Sequence, residues 1–169
     1  MATTIQQTNQ SASTDFCGNY AKGISLTADE RSKQFTAASF WFETNSSKTG
    51  TISCNILNSS GVSLGTLGTL DASTVPTDST PREYVFDTNP VSTNDSNCFI
   101  SLVVPASACG LGFRYTTSPS TTDYQGFYQS AVDTTPVTTG QPYPKFSATY
   151  GGDASSGTRL PPPPAFVRI

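Results

Sequence analysis

The chain has 169 residues, of which 35% are hydrophobic and only 12% charged, and its formal net charge is −3. That length suits a single domain, and a charge content about half the usual ~25% implies a surface of hydroxyls and amides in place of ion pairs. With no histidine and 9 basic residues in no cluster, the composition excludes Ser-His-Asp and Cys-His catalysis, histidine-ligated zinc and an imidazole switch, and argues against generic phosphate binding.

Residues 1–19 read as an N-terminal arm, because Met1 to Thr14 carries no charged side chain and one branched aliphatic, Ile5. Residues 20–133 read as a β-sandwich. Gln34 to Glu43 (QFTAASFWFE) is an aromatic-rich strand followed by the polar loop TNSSKTG. Thr51 to Leu57 (TISCNIL) alternates, with Ile52, Cys54 and Ile56 on one face. Asn58-Ser59-Ser60-Gly61 is a turn signal, and the glycines of Val62 to Leu70 (VSLGTLGTL) predict bends or bulges. Leu70 to Pro81 reads as a connection crossing between sheets. Glu83 to Phe86 and Cys98 to Val104 are further strands, the second long enough to be central; Cys109 to Thr116 and Tyr124 to Ser130 follow. Short strands, frequent turns and no helical stripe predict an all-β antiparallel sandwich of jelly-roll type.

Residues 134–169 read as an extended C-terminal arm. TTPVTTGQPYPKF, GGDASSG and RLPPPPAFVRI follow one another, and proline is excluded from central strands. Pro161, Pro162, Pro163 and Pro164 predict a polyproline II rod leading to the apolar anchors Phe166, Val167 and Ile169. The plain alternative is a solvated tail. A docking arm makes better use of apolar residues beyond a rod that is already extended when free.

Individual signals are weighed against their structural alternatives. Phe40 and Phe42 are expected in the core with Trp41 on the opposite face, which leaves Trp41 as a possible ligand or subunit contact. Arg114, on a strand of a charge-poor protein, is a plausible interface anchor. Asp87, Asn89, Asn94 and Asp95 offer oxygen ligands but lack calcium-loop spacing and read as turns. Asp123 and Asp133 have no reason to form a glycosidase pair. The N-x-[ST] tripeptides at Asn9, Asn45, Asn58 and Asn94 are expected from composition alone. No secretory signal, apolar span, metal motif or nucleotide-binding loop is read, so no cofactor, nucleic acid or membrane partner is expected. Synthesis in a cytosol favours buried free thiols at Cys17, Cys54, Cys98 and Cys109, with a disulfide formed later in an oxidising medium as the alternative.

From Phe35 to Tyr115 a further pattern stands out: an aromatic strand, Thr49-Gly50-Thr51, Asp71-Ala72-Ser73 with Val75, then Tyr84 and Phe86. This half of the chain resembles a jelly-roll domain that recurs in phage and archaeal-virus surface proteins and in carbohydrate-binding-like modules. The whole arrangement looks like a capsid decoration (cement) protein of a tailed phage. That resemblance implies a structural, non-enzymatic virion protein on the outer capsid surface, bound to a major capsid protein and to copies of itself, as a homotrimer. Its arms, anchored by Ile5 and by Pro161–Pro164, Phe166, Val167 and Ile169, would staple neighbouring capsomers by multivalency. Two rivals are a carbohydrate-binding module of a tail fibre or surface appendage, using Trp41, Tyr124 or Tyr128, and a self-assembling capsid or filament subunit.

Overall fold

The structure, a computed structural model, describes residues 1–10, 12–16, 21–94, 96–117, 124–129, 137–138 and 143–153. Its strands run β1 (Thr3–Gln7), β2 (Ala12–Phe16), β3 (Ala21–Ser25), β4 (Lys33–Glu43), β5 (Thr51–Leu57), β6 (Ser63–Asp71) and β7 (Arg82–Phe86). They continue with β8 (Val91–Ser92), β9 (Phe99–Val103), β10 (Leu111–Thr116), β11 (Gly126–Gln129), β12 (Val137–Thr138), β13 (Tyr143–Pro144) and β14 (Phe146–Asp153). Short 3-10 turns occupy Ala28–Glu30, Ala72–Thr74 and Ala106–Ala108.

Two antiparallel sheets pack face to face, as the strand pattern predicts. In the first, β4 is central: β14 and β10 lie along one side, β7 and β8 along the other. Beyond them β1 pairs with β14, and β2 pairs with β10. The second sheet runs β12-β11-β3-β9-β5-β6, with β9 in its interior. The core divides by chemistry. The first sheet contributes the fully buried Phe35, Phe40, Phe42, Phe86, Phe113 and Phe146, whereas the second contributes Ile24, Ile52, Ile56, Leu67 and Ile100. Burial of each such side chain contributes about 1.5–3 kcal/mol, so the inter-sheet layer is the main source of stability.

The glycine-broken β6 is bulged against β5, with register shifts at Cys54/Asn55 and Ile56/Leu57. The chain then crosses to the first sheet. Asp71 caps the 3-10 turn by accepting from the Ser73 amide at 2.9 Å, and Ala72 is fully buried beneath it. Thus the Asp-Ala-Ser triplet is a crossover device: a cap, a small buried residue and a capped amide. At Gly68 the two sheets nearly touch, since a Cβ there would lie 3.1 Å from the Phe86 Cα.

Three expectations are corrected. The sandwich does not stop at 20 and 133. Ile5, expected to anchor a free arm, is 8% exposed in the core, because β1 is a strand of the first sheet, paired with β14 over Thr3↔Tyr150 to Gln7↔Phe146. At the other end, Phe146 and Ala148 are buried in β14, the longest neighbour of β4. The first group of prolines that suggested an arm ends at Pro144, in the two-residue strand β13, and Phe146 to Tyr150 resumes an alternating pattern. Finally, the cysteines do not behave alike: Cys54 and Cys98 are buried free thiols, but Cys109 is disulfide-bonded. Cys17 is the remaining cysteine of the four and lies outside the described residues.

Candidate interaction face

The alternation of β4 sends Phe40 and Phe42 into the core and turns Ala37, Ser39, Trp41 and Glu43 to the outer face of the first sheet. Glu83 of β7 is directly opposite Trp41. On the other side, Phe146 of β14 is opposite Phe40, which puts Lys145 level with Trp41. The Lys145 Nζ lies 4.5 Å from the centroid of the Trp41 ring, a cation–π contact. One row across β7, β4 and the residue that enters β14 therefore reads acid, aromatic, base.

Arg114 joins the same patch. Its Nη2 donates to Glu43 Oε2 at 2.5 Å, and its carbonyl accepts from the Lys145 amide at 2.9 Å. The Arg114–Glu43 pair is partly withdrawn from water, with side chains 20% and 14% exposed. Nε of Arg114 is buried without a hydrogen-bond partner among the described residues. The two positions singled out from sequence as contacts, Trp41 and Arg114, thus lie on one face, bridged by Glu43 and Lys145. The sequence reading missed both bridging residues and Glu83. Lys145 sits 104 positions from Trp41, and only sheet register brings them together.

The floor beside the patch is shallow and lined by small side chains. Ala37, Ser39, Ser147, Thr149, Glu83 and Val85 line a shallow groove of about 160 Å³, in which Ser39 Oγ donates to Glu83 Oε1 at 2.6 Å. At the far end of β4, Glu43, Asn45, Lys48, Ser79, Gly110 and Gly112 line an open polar cleft of about 260 Å³. Ser79 reaches it with φ of 55°, held by its amide donating to the Thr44 carbonyl at 3.0 Å. Beneath the face, Tyr84 stacks on Phe42 with ring centroids 4.1 Å apart, and burial pushes its phenol above the usual value. The arrangement is suited to contact with a surface: a half-buried tryptophan, fixed charges and a floor of small side chains.

Other candidates stand elsewhere. Tyr124 is no open platform, since its hydroxyl donates to Glu30 Oε1 at 3.1 Å and its ring meets Phe146 edge-on at 5.4 Å. Asn94 works as a turn residue, its Oδ1 accepting from the Ser96 amide at 3.1 Å and the Ser96 hydroxyl at 2.7 Å. Asp95, Asp123, Asp133 and the predicted anchors Pro161–Pro164, Phe166, Val167 and Ile169 lie outside the described residues, as does the side chain of Tyr128. Among the described residues, no three His, Cys, Asp or Glu side chains converge on a metal position, and no helix is long and apolar enough to cross a membrane. No protein-family model, no curated protein and no solved structure matches this chain.

Proposed function

We propose that the protein is a structural surface module of a virus particle, a decoration protein that binds the outside of a shell and helps hold its subunits together. The observation that carries this reading is the outer face of the first sheet, where Trp41 and Arg114, linked through Lys145 and Glu43, stand beside a shallow groove of small side chains. Aromatic and arginine side chains fixed on a rigid sheet are the residues from which protein interfaces draw most of their energy. A disulfide at Cys109 suits work outside a reducing cytosol. The low charge keeps surface contacts insensitive to salt. In this reading the proline-rich segment from Pro161 to Pro164 with Phe166, Val167 and Ile169 supplies a second, extended contact that adds to the face by multivalency.

The carbohydrate-binding alternative is less well supported. A sugar platform needs an open ring face, and Lys145 stands over the Trp41 ring.

The test is co-sedimentation of the full chain with particles stripped of surface proteins. Removal of residues 154–169 leaves β14 intact and should weaken binding while the sandwich still melts cooperatively. Trp41→Ala should weaken it further. Saturable binding to a glycan array, with no particle binding, would overturn the proposal in favour of the sugar-binding module.

A further inference from the structure

The charges on the outer face of the first sheet are arranged so that the face complements itself. Across the row at Trp41, Glu83 stands on one side and Lys145 on the other. A two-fold axis parallel to β4, lying above this face, carries the Glu83 side of one copy onto the Lys145 side of the next. Two Glu83–Lys145 pairs then flank two apposed Trp41 rings. The same rotation sets Val85, 57% exposed, over Ser147 of the second copy, because Val85, Ser39 and Ser147 share the next row. Large meets small on both sides of the axis. The same axis sets Glu43 against Glu43, each already paired with its own Arg114, whereas an axis perpendicular to the strands through the Trp41 row would bring Glu83 against Glu83.

From this we infer that the occupant of the face is a second copy of the same chain, in an isologous dimer with its first sheets packed face to face. The inference rests on the reading of this outer face as a docking surface, and it names a second copy, in place of the shell, as what that face meets. Ala37 and Ser39 on β4 and Ser147 and Thr149 on β14 let two sheets approach to the ordinary spacing of about 10 Å. Four strands about 4.8 Å apart along the length of β4 present roughly 650 Å² per copy. That falls a little short of the ~800 Å² per partner typical of stable complexes, so the dimer is a weak one.

The experiment is sedimentation velocity of the full chain over a concentration series reaching about 100 µM, the range in which weak interfaces populate. The wild type should show a concentration-dependent dimer. Glu83→Lys alone and Lys145→Glu alone each set two like-charge pairs across the axis, and each should raise the dissociation constant about tenfold or more. Mixing the two variants restores both pairs in the heterodimer, and so should restore association. The double swap in a single chain should do the same. Thermal melts of each variant verify folding, and bis-maleimide cross-linking of Trp41→Cys provides a readout that does not rely on charge. A wild type that stays monomeric yet binds particles would overturn the inference and leave the shell-binding reading intact. A discrete trimer, or variants that fail to complement when mixed, would overturn it as well.

Discussion

The crossover between the sheets can be tested with one methyl group. At Gly68, a built Cβ lies 3.1 Å from Phe86 Cα, 3.2 Å from Phe86 Cβ and 3.3 Å from the Asp87 amide nitrogen. Most of what it meets is backbone, and neither side can retreat. β7 is held to β4 through Phe86↔Ala38 and its neighbours, β6 is laddered to β5, and the Asn89 amide donates to the Leu67 carbonyl at 2.9 Å. Overpacking of this kind costs about 1–3 kcal/mol. Alanine returns about 0.4–1 kcal/mol by narrowing the unfolded ensemble. Gly68→Ala should therefore destabilise by about 1–2 kcal/mol, lowering the melting temperature by about 2–8 °C for a chain of this size. Gly151 on β14 is the matched control: nothing lies within 4 Å of its Cβ position, and its φ is not in the left-handed region. There the same substitution should stabilise by about 0.4–1 kcal/mol. Scanning calorimetry of both variants without reductant decides the matter. A Gly68→Ala protein that melts at or above the wild type would refute the close approach of β6 and β7.

Three further outcomes are expected. Thiol titration of the native protein should find Cys54 unreactive, since burial pushes its thiol far above the ordinary value; denaturation without reductant should reveal two thiols, Cys54 and Cys98, and four would show that Cys109 carries no disulfide. Arg82 holds the Asp78 carboxyl well below its usual range through bonds of 2.6 and 2.8 Å, so this pair stabilises the fold above about pH 4 and fades as the pH falls from there. The gap between the melting curves of wild type and Asp78→Asn should accordingly be full at pH 7 and shrink steadily as the pH falls below about 4. Arg114→Ala leaves the Glu43 carboxylate without its partner while 14% exposed, and should cost about 1–3 kcal/mol in chemical denaturation, with Glu43→Gln in the same chain recovering part of the loss.

Much of the fold was legible because a strand's two faces are written in alternation. Ile52, Cys54 and Ile56, or Phe40 and Phe42 about Trp41, declare an inside and an outside within a few residues. The glycine-broken β6, the crossover after Leu70 and the central place of β9 follow from the same local chemistry. Local pattern misled at the ends. Ile5 alone made a weak signal in an uncharged stretch, and the prolines before Phe146 obscured the alternation of β14. Both strands belong to the first sheet because they pair with each other and with β4, a contact between residues up to 147 positions apart, as in Thr3↔Tyr150. The interaction face is of that non-local kind. Trp41 and Arg114 were each identifiable as unusual in a chain so poor in charge, but nothing along the sequence ties Trp41 to Lys145 or Arg114 to Glu43. Composition and alternation therefore determined an all-β sandwich with an aromatic-rich central strand. Only the register of β4 against β7, β10 and β14 decided which charges stand beside the tryptophan, because register depends on the hydrogen-bonded pairing of distant strands, which no local sequence pattern encodes.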